Sequence, residues 1–325
     1  SLESIEFPAG ITEFGENTFY DCDALKEVTF LGEVTEIPEK MFYSCDSLEK
    51  VNYEGTITTV EKDAFMYCYG FSQNELLHGL TYIGENAFCW TNLTEINLNE
   101  NITCLGDSAF AATSAKNVVL PESITKIPTG LFKNSVVGSV TFMGDVTEIG
   151  KDAFYYCKKL KEINIPSSVE LIGENAFAFT NSLETAVDLS GVREIGKNAF
   201  QYSAITGVTF GDNLQSIADS AFSYSGIESV VIPENVTVGM GAFLACDKLI
   251  DVTVGKNSVV DYGGFKWSDN IERVYVEDGA VLGSSSLDGC KNLKEIHFKN
   301  TISPESGLGE INSEVVIYGL EESNA

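Results

Sequence analysis

Eight cysteines and two histidines are the residue types best suited to metal or redox chemistry in this 325-residue chain. Zinc needs converging thiolates and imidazoles. The sequence has no CxxC pair, and His78 and His297 lie far apart. HExxH, GxSxG and GxxxxGK[ST] are missing, and "GMG" at Gly239–Gly241 is only a fragment of a dinucleotide fingerprint. The many carboxylates form chance pairs without calcium-loop spacing. These observations predict no catalytic residue, no cofactor and no metal, and a protein that is not an enzyme.

The cysteines carry a different regularity. Cys22, Cys45, Cys68, Cys157, Cys246 and Cys290 each lie three residues after a Phe or its equivalent. Elsewhere that place holds Thr91, Thr113, Ser135, Thr180, Ser203, Ser225 and Ser268. All three residue types are small and can hydrogen-bond nearby backbone, which predicts a buried ladder of small residues. A disulfide from Cys45 to Cys22 or to Cys68 is the alternative. Side chains pointing the same way along a ladder disfavour it.

The Phe residues set the frame. They recur at Phe19, Phe42, Phe65, Phe88, Phe110, Phe132, Phe154, Phe177, Phe200, Phe222, Phe243 and Phe265, with Leu287 in the same role. The steps are 21 to 23 residues. After each anchor comes a strand-like segment such as "LKEVTF" (Leu25–Phe30) or "LKEINI" (Leu160–Ile165); before it comes an apolar pair three apart, such as Val192/Ile195. A unit of this length cannot bury its apolar side chains alone, so identical units must stack into a solenoid. Gly84, Gly106, Gly196 and their equivalents four before the anchor suggest a turn at positive φ. Asn17, Asn86, Asn198 and other Asn, Asp or Ser residues two before it suggest the N-cap of a short helical turn.

The frame L-x-x-[VI]-x-[FIL]-P-x-x-[VIL]-x-x-I-G-x-x-A-F-x-x-[CST]-x-x-L resembles the BspA-like leucine-rich repeats. "LKEINIPSSVELIGENAFAFTNSL" (Leu160–Leu183) follows it throughout. The pattern breaks near "FSQNELLHGL" (Phe71–Leu80), at "LETAVDL" (Leu183–Leu189) and after Asn300. The resemblance implies an α/β, right-handed leucine-rich-repeat solenoid of about 13 repeats. Parallel strands would line its concave face, with short strands, turns and helical turns elsewhere. Residues 1–325 would form one domain, with 1–10 a partial first repeat and 300–325 a closing strand and tail. The family occurs in bacterial cell-surface and secreted proteins implicated in adhesion. A non-enzymatic protein-interaction module, extracellular or on the cell surface, is therefore expected. Its ligand would be a protein, with host matrix and cell-surface proteins as candidates.

Charge and hydropathy bound the partners. A net charge of −28, from 48 acidic and 20 basic residues, opposes binding to nucleic acid or anionic lipid. No apolar run reaches the length of a membrane span. The chain opens in mid-pattern without a signal peptide, which suggests a piece of a longer protein.

Two surfaces can vary without harming the stack. Outward strand residues form the first, where Asp251, Thr253, Arg273, Tyr275 and His297 fall on neighbouring strands and include hot-spot types. A solvated sheet face is the plainer reading. The second is an aromatic stripe two after the anchor: Tyr67, Trp90, Tyr156, Phe179, Tyr202, Tyr224 and Trp267. Packing explains such rings most simply. If exposed, Trp90 and Trp267 point to a carbohydrate-binding surface, and a rigid spacer is the third reading. Sequons at Asn92, Asn101 and Asn235 matter only for a eukaryotic source.

Overall fold

The computed structural model describes residues 2–299 and 308–319. The remainder of the expected closing segment, 300–307 and 320–325, lies outside the described residues. The chain divides into two compact units, Ser1–Val146 with Gly150–Ile163 and Thr147–Ile149 with Asn164–Ala325. Each is a parallel β-solenoid.

A regular turn of each solenoid supplies three hydrogen-bonded edges. The first is the longer strand after the anchor. In the first unit Ser4–Phe7, Glu27–Glu33 and Lys50–Glu54 pair in parallel. In the second, Ser229–Ile232, Asp251–Val254, Arg273–Val276, Glu295–Phe298 and Val316–Tyr318 form one parallel sheet. Its central register runs Val230, Val252, Val274, Ile296, Ile317, so equivalent residues of each repeat stand opposite one another. The second edge is a two-residue strand. Glu36–Ile37, Thr59–Val60, Tyr82–Ile83 and Cys104–Leu105 pair in the first unit, and Glu194–Ile195, Ser216–Ile217 and Thr237–Val238 in the second.

The third edge corrects the expectation of helical turns, and with it the α/β description. The Phe200 amide donates to the Ala221 carbonyl of the next repeat at 2.7 Å, and Tyr202 donates to Ser223 at 3.0 Å. Phe19 to Met41, at 2.8 Å, shows the same bond in the first unit. These N–H groups serve the neighbouring turn, so none is left for an i→i−4 bond within the segment. Among the described residues the only helix is a six-residue 3-10 turn at Asn74–Gly79.

Backbone geometry also reverses two expected roles. Asn17, Asn86 and Asn198 have φ of 59°, 53° and 56°, so they are left-handed residues rather than N-caps, which sit in the β region. Asn tolerates this region better than most residues. The glycines four before the anchor are not at positive φ. Inside the stack, though not at Gly15 in the first repeat, they are small because the preceding repeat runs against them: a Cβ on Gly196 would lie 2.7 Å from the Glu174 amide nitrogen, and one on Gly84 2.6 Å from that of Lys62.

Between the edges the core is a stack of like on like. Anchor rings lie nearly parallel, with centroids 5.3 Å apart for Phe65–Phe88 and 5.1 Å for Phe200–Phe222. The small-residue ladder forms as expected. Cys45, Cys68, Cys157 and Cys246 are buried free thiols, each donating Sγ–H to the carbonyl of the preceding repeat's Phe at 2.9–3.1 Å. Ser135 and Ser268 make the same bond with Oγ, both at 2.9 Å. Burial pushes the thiols up, Cys157 to about 12 and Cys246 to about 11, which leaves them protonated and unreactive.

The break in pattern at Phe71–Leu80 has a clear structural cause. The 3-10 turn replaces a longer strand and would strand the neighbouring amides. Side chains take over: Gln73 Oε1 accepts from the Val51 N–H at 2.9 Å, and Asn74 Oδ1 from Thr94 and Glu95 at 3.2 and 3.1 Å. The other break, "LETAVDL", keeps the strand Ala186–Leu189, which pairs with Gly207–Phe210.

Candidate functional site

The register of the last sheet brings the expected strand-face residues together. Asp251 stands opposite Arg273, Thr253 opposite Tyr275, and Tyr275 opposite His297. Alternation along each strand turns Val252, Val274 and Ile296 inward and leaves these residues on the other face. The Arg273 guanidinium grips Asp251 with two bonds, Nε to Oδ1 at 2.6 Å and Nη2 to Oδ2 at 3.0 Å. Glu272 adds a contact to Nη1 at 3.5 Å. The Asp251 carboxylate raises the guanidinium above its ordinary pKa, so the positive charge is fixed. A planar, pre-oriented Arg of this kind presents less entropy cost to a partner than a free one.

Beside the pair runs an aromatic ladder longer than the repeat spacing alone predicts. The Tyr275 and His297 rings stack at 4.8 Å and 17°. His297 stacks in turn on Tyr318 at 4.4 Å and 9°. His297 Nε2 lies 2.9 Å from Glu295 Oε2 on the same strand. Tyr318, in the strand Val316–Tyr318, was missed because the repeat frame is lost after Asn300. Extending the step from 275 and 297 by 21 residues leads to it.

The aromatic stripe is more exposed than packing alone requires. Trp267 is 52% exposed and Trp90 44%. The two tryptophans fall in different units, and neither belongs to a long stack. Trp90 meets Tyr69 edge-on at 6.3 Å. Trp267 carries the Lys266 ammonium 5.0 Å from its ring, held there by Asp288 at 2.7 Å. Phe179–Tyr202–Tyr224 form a continuous stack, with spacings of 5.0 and 4.5 Å. These positions also have positive φ, 63° at Phe179 and 61° at Trp90, which is costly for bulky residues. The third hydrogen-bonded edge imposes that conformation.

Among the described residues no group of three His, Cys, Asp or Glu side chains is placed to hold a metal ion. No helix among them is long and apolar enough to cross a membrane.

Comparison with known proteins agrees with the fold. The family model for the BspA type leucine rich repeat region matches in six copies, over residues 1–116 and 59–184. A leucine-rich repeat protein from Bacteroides ovatus superposes with a TM-score of 0.53 at 19% identity, over 97% of this chain and 82% of that one. A leucine rich cell surface protein from Faecalibacterium prausnitzii gives 0.56 at 21%, over 94% and 83%. The pneumococcal vaccine antigen PcpA gives 0.54 at 19%, over 97% and 77%. At these identities the likeness shows the fold alone. No curated protein sequence matches the chain.

Proposed function

Because the chain belongs to the BspA-type leucine-rich repeat family, we propose that it is a non-enzymatic protein-interaction module that binds through the open face of its last strands. The carrying observation is the Asp251–Arg273 pair beside the Tyr275–His297–Tyr318 stack. Arg and Tyr are enriched at binding hot spots, and here both are held in place before any partner arrives. Thr253, opposite Tyr275, adds a small polar neighbour. In this reading the variable outer residues choose the partner. A location outside the cell or on its surface, with adhesion to host or other cells, is part of this reading; membership of the family supports it.

The test is binding of the purified chain to immobilised matrix proteins such as fibronectin, laminin and collagen. Tyr275→Ala and Arg273→Ala should each weaken a protein contact about tenfold, a typical hot-spot loss. Trp90→Ala, in the other unit, should leave it unchanged. A bound protein indifferent to every strand-face substitution would sink the assignment of this face.

A further inference from the structure

The first unit carries on its surface a run of aromatic rings that the core does not need. Tyr20 stacks on Tyr43 with centroids 4.9 Å apart and planes 1° from parallel. Tyr43 meets Tyr67 edge-on at 5.5 Å, Tyr67 lies 6.2 Å from Tyr69, and Tyr69 lies 6.3 Å from Trp90. Tyr20 and Tyr69 are 44% and 51% exposed. Four consecutive turns contribute, so at ~4.8 Å per turn the run is about 15 Å long, the length of about five residues of extended chain. Other repeats hold Ala112 at the place of Trp90, and Ala204 or Gly226 at the place of Tyr69, so the solenoid closes without rings there.

Carboxylates border the rings, and they lack cations. Asp21, Asp23 and Asp46 are exposed, and among the described residues none of the three forms an ion pair. The Asp21 amide donates to the Tyr43 carbonyl at 2.9 Å, and the Gly70 amide to the Asp46 carbonyl at 3.1 Å, so these acids rise from the backbone that carries the rings. Their charge reaches the phenols. Burial and then Asp46 raise Tyr69; burial, the two neighbouring rings, Asp63 and Asp21 raise Tyr43. Elsewhere the chain completes the same arrangement itself. The Lys266 ammonium sits 2.7 Å from Asp288 Oδ2 and 5.0 Å from the Trp267 ring, and that of Lys133 sits 2.9 Å from Asp152 Oδ2 and 5.2 Å from the Tyr155 ring. In both places one cation meets a ring and a carboxylate together. Among the described residues no Lys or Arg lies over Tyr20, Tyr43, Tyr67, Tyr69 or Trp90, and Lys40 is engaged by Glu39 at 2.7 Å.

We propose that this run of rings binds an extended, arginine-bearing segment of a partner protein, whose guanidinium groups lie on the rings and pair with Asp21, Asp23 and Asp46. A guanidinium is planar, stacks on aromatic faces and grips a carboxylate with two bonds, so one side chain meets both features. Exposed apolar patches rimmed by polar groups mark interaction sites. The three carboxylates and the net charge of −28 oppose an anionic partner. A neutral glycan could use the rings but would leave the carboxylates unanswered. The rings belong to the first unit, whereas Arg273 and Tyr275 belong to the second, so this surface works whether or not the strand face binds a protein.

Fluorescence anisotropy on the whole chain tests this, with labelled octapeptides that alternate glycine with arginine, with glutamate or with serine. The arginine peptide should bind saturably at about 0.15 M salt, where long-range attraction is screened, and the other two should not. Tyr69→Ala and Trp90→Ala should each weaken it about two- to fivefold, the contribution of a cation–π contact at an exposed site. Both variants should fold, since Ala204 and Ala112 stand at these places in other repeats. Asp46→Asn should weaken the peptide by a similar factor, while Glu33→Gln, which removes the same charge from the long strand, should not. Failure of the arginine peptide to bind overturns the proposal, and so does equal binding of the serine peptide. Binding that survives Tyr69→Ala and Trp90→Ala at full strength, or that weakens equally with Asp46→Asn and Glu33→Gln, would be attraction to net charge alone and overturns it too. Trp90-dependent binding on a glycan array, with the arginine peptide inert, would assign the rings to sugar instead. Trp90→Ala leaves the strand-face contact as it is, so either reading can fail while the other stands.

Discussion

Three single substitutions at one repeat position distinguish the two physical reasons a glycine can be needed. The residue four before the anchor is Gly196 in one repeat, Gly15 in the first, and Ala218 in another. A Cβ on Gly196 would meet the Glu174 nitrogen and the Gly173 carbon, both at 2.7 Å, and the Ile172 oxygen at 2.9 Å. All are backbone atoms, so relief requires the preceding turn to shift. Gly196→Ala should therefore destabilise by about 1–3 kcal/mol, as overpacking does. Gly15 has nothing within 4 Å of the same Cβ. Gly15→Ala should gain about 0.4–1 kcal/mol through the unfolded chain. Ala218 is not at positive φ, so Ala218→Gly should lose about 0.5–1 kcal/mol of backbone entropy. Urea unfolding gives the interior values. Hydrogen exchange of the Phe19 amide, which donates to Met41, reads the first repeat locally. Equal losses for both Gly→Ala variants, with a gain for Ala218→Gly, would mean that backbone conformation and not crowding selects glycine.

Two further outcomes follow from the other ladders. At Asn198, with φ of 56°, substitution by Gly should be tolerated, whereas Val should destabilise by at least about 1 kcal/mol because a β-branched residue resists the left-handed region; a thermal melt compares them. Alkaline pH should also weaken the fold. Burial raises the folded-state value of Cys157 from 9.0 to about 12, and those of Cys45 and Cys290 likewise to about 12. Below pH 9 both states hold these protons and nothing changes. Above it the unfolded chain releases them first, so stability falls by roughly 1.4 kcal/mol per pH unit per thiol until about pH 12. Urea midpoints between about pH 8 and 10.5 test this, and Cys157→Ala should flatten the slope by one thiol's share. A slope unaltered by removing the thiol contradicts the assignment.

What the sequence made legible was what repeats in shape. The inward residues recur every 21 to 23 positions because each must fill the space left by its counterpart, so Phe, Leu and Cys positions map directly onto ladders. The local conformation of the anchor segment was not legible. Asn, Asp and Ser are favoured both at helix N-caps and in the left-handed region. Composition alone cannot choose between them; the destination of the next amide can. Tyr202 and Trp267 were harder still, because their positive φ runs against their own preference and is imposed by bonds to a residue 21 positions away. On the strand face Arg273, Tyr275 and His297 could be grouped from spacing, while their stacking and the Asp251 clamp required coordinates.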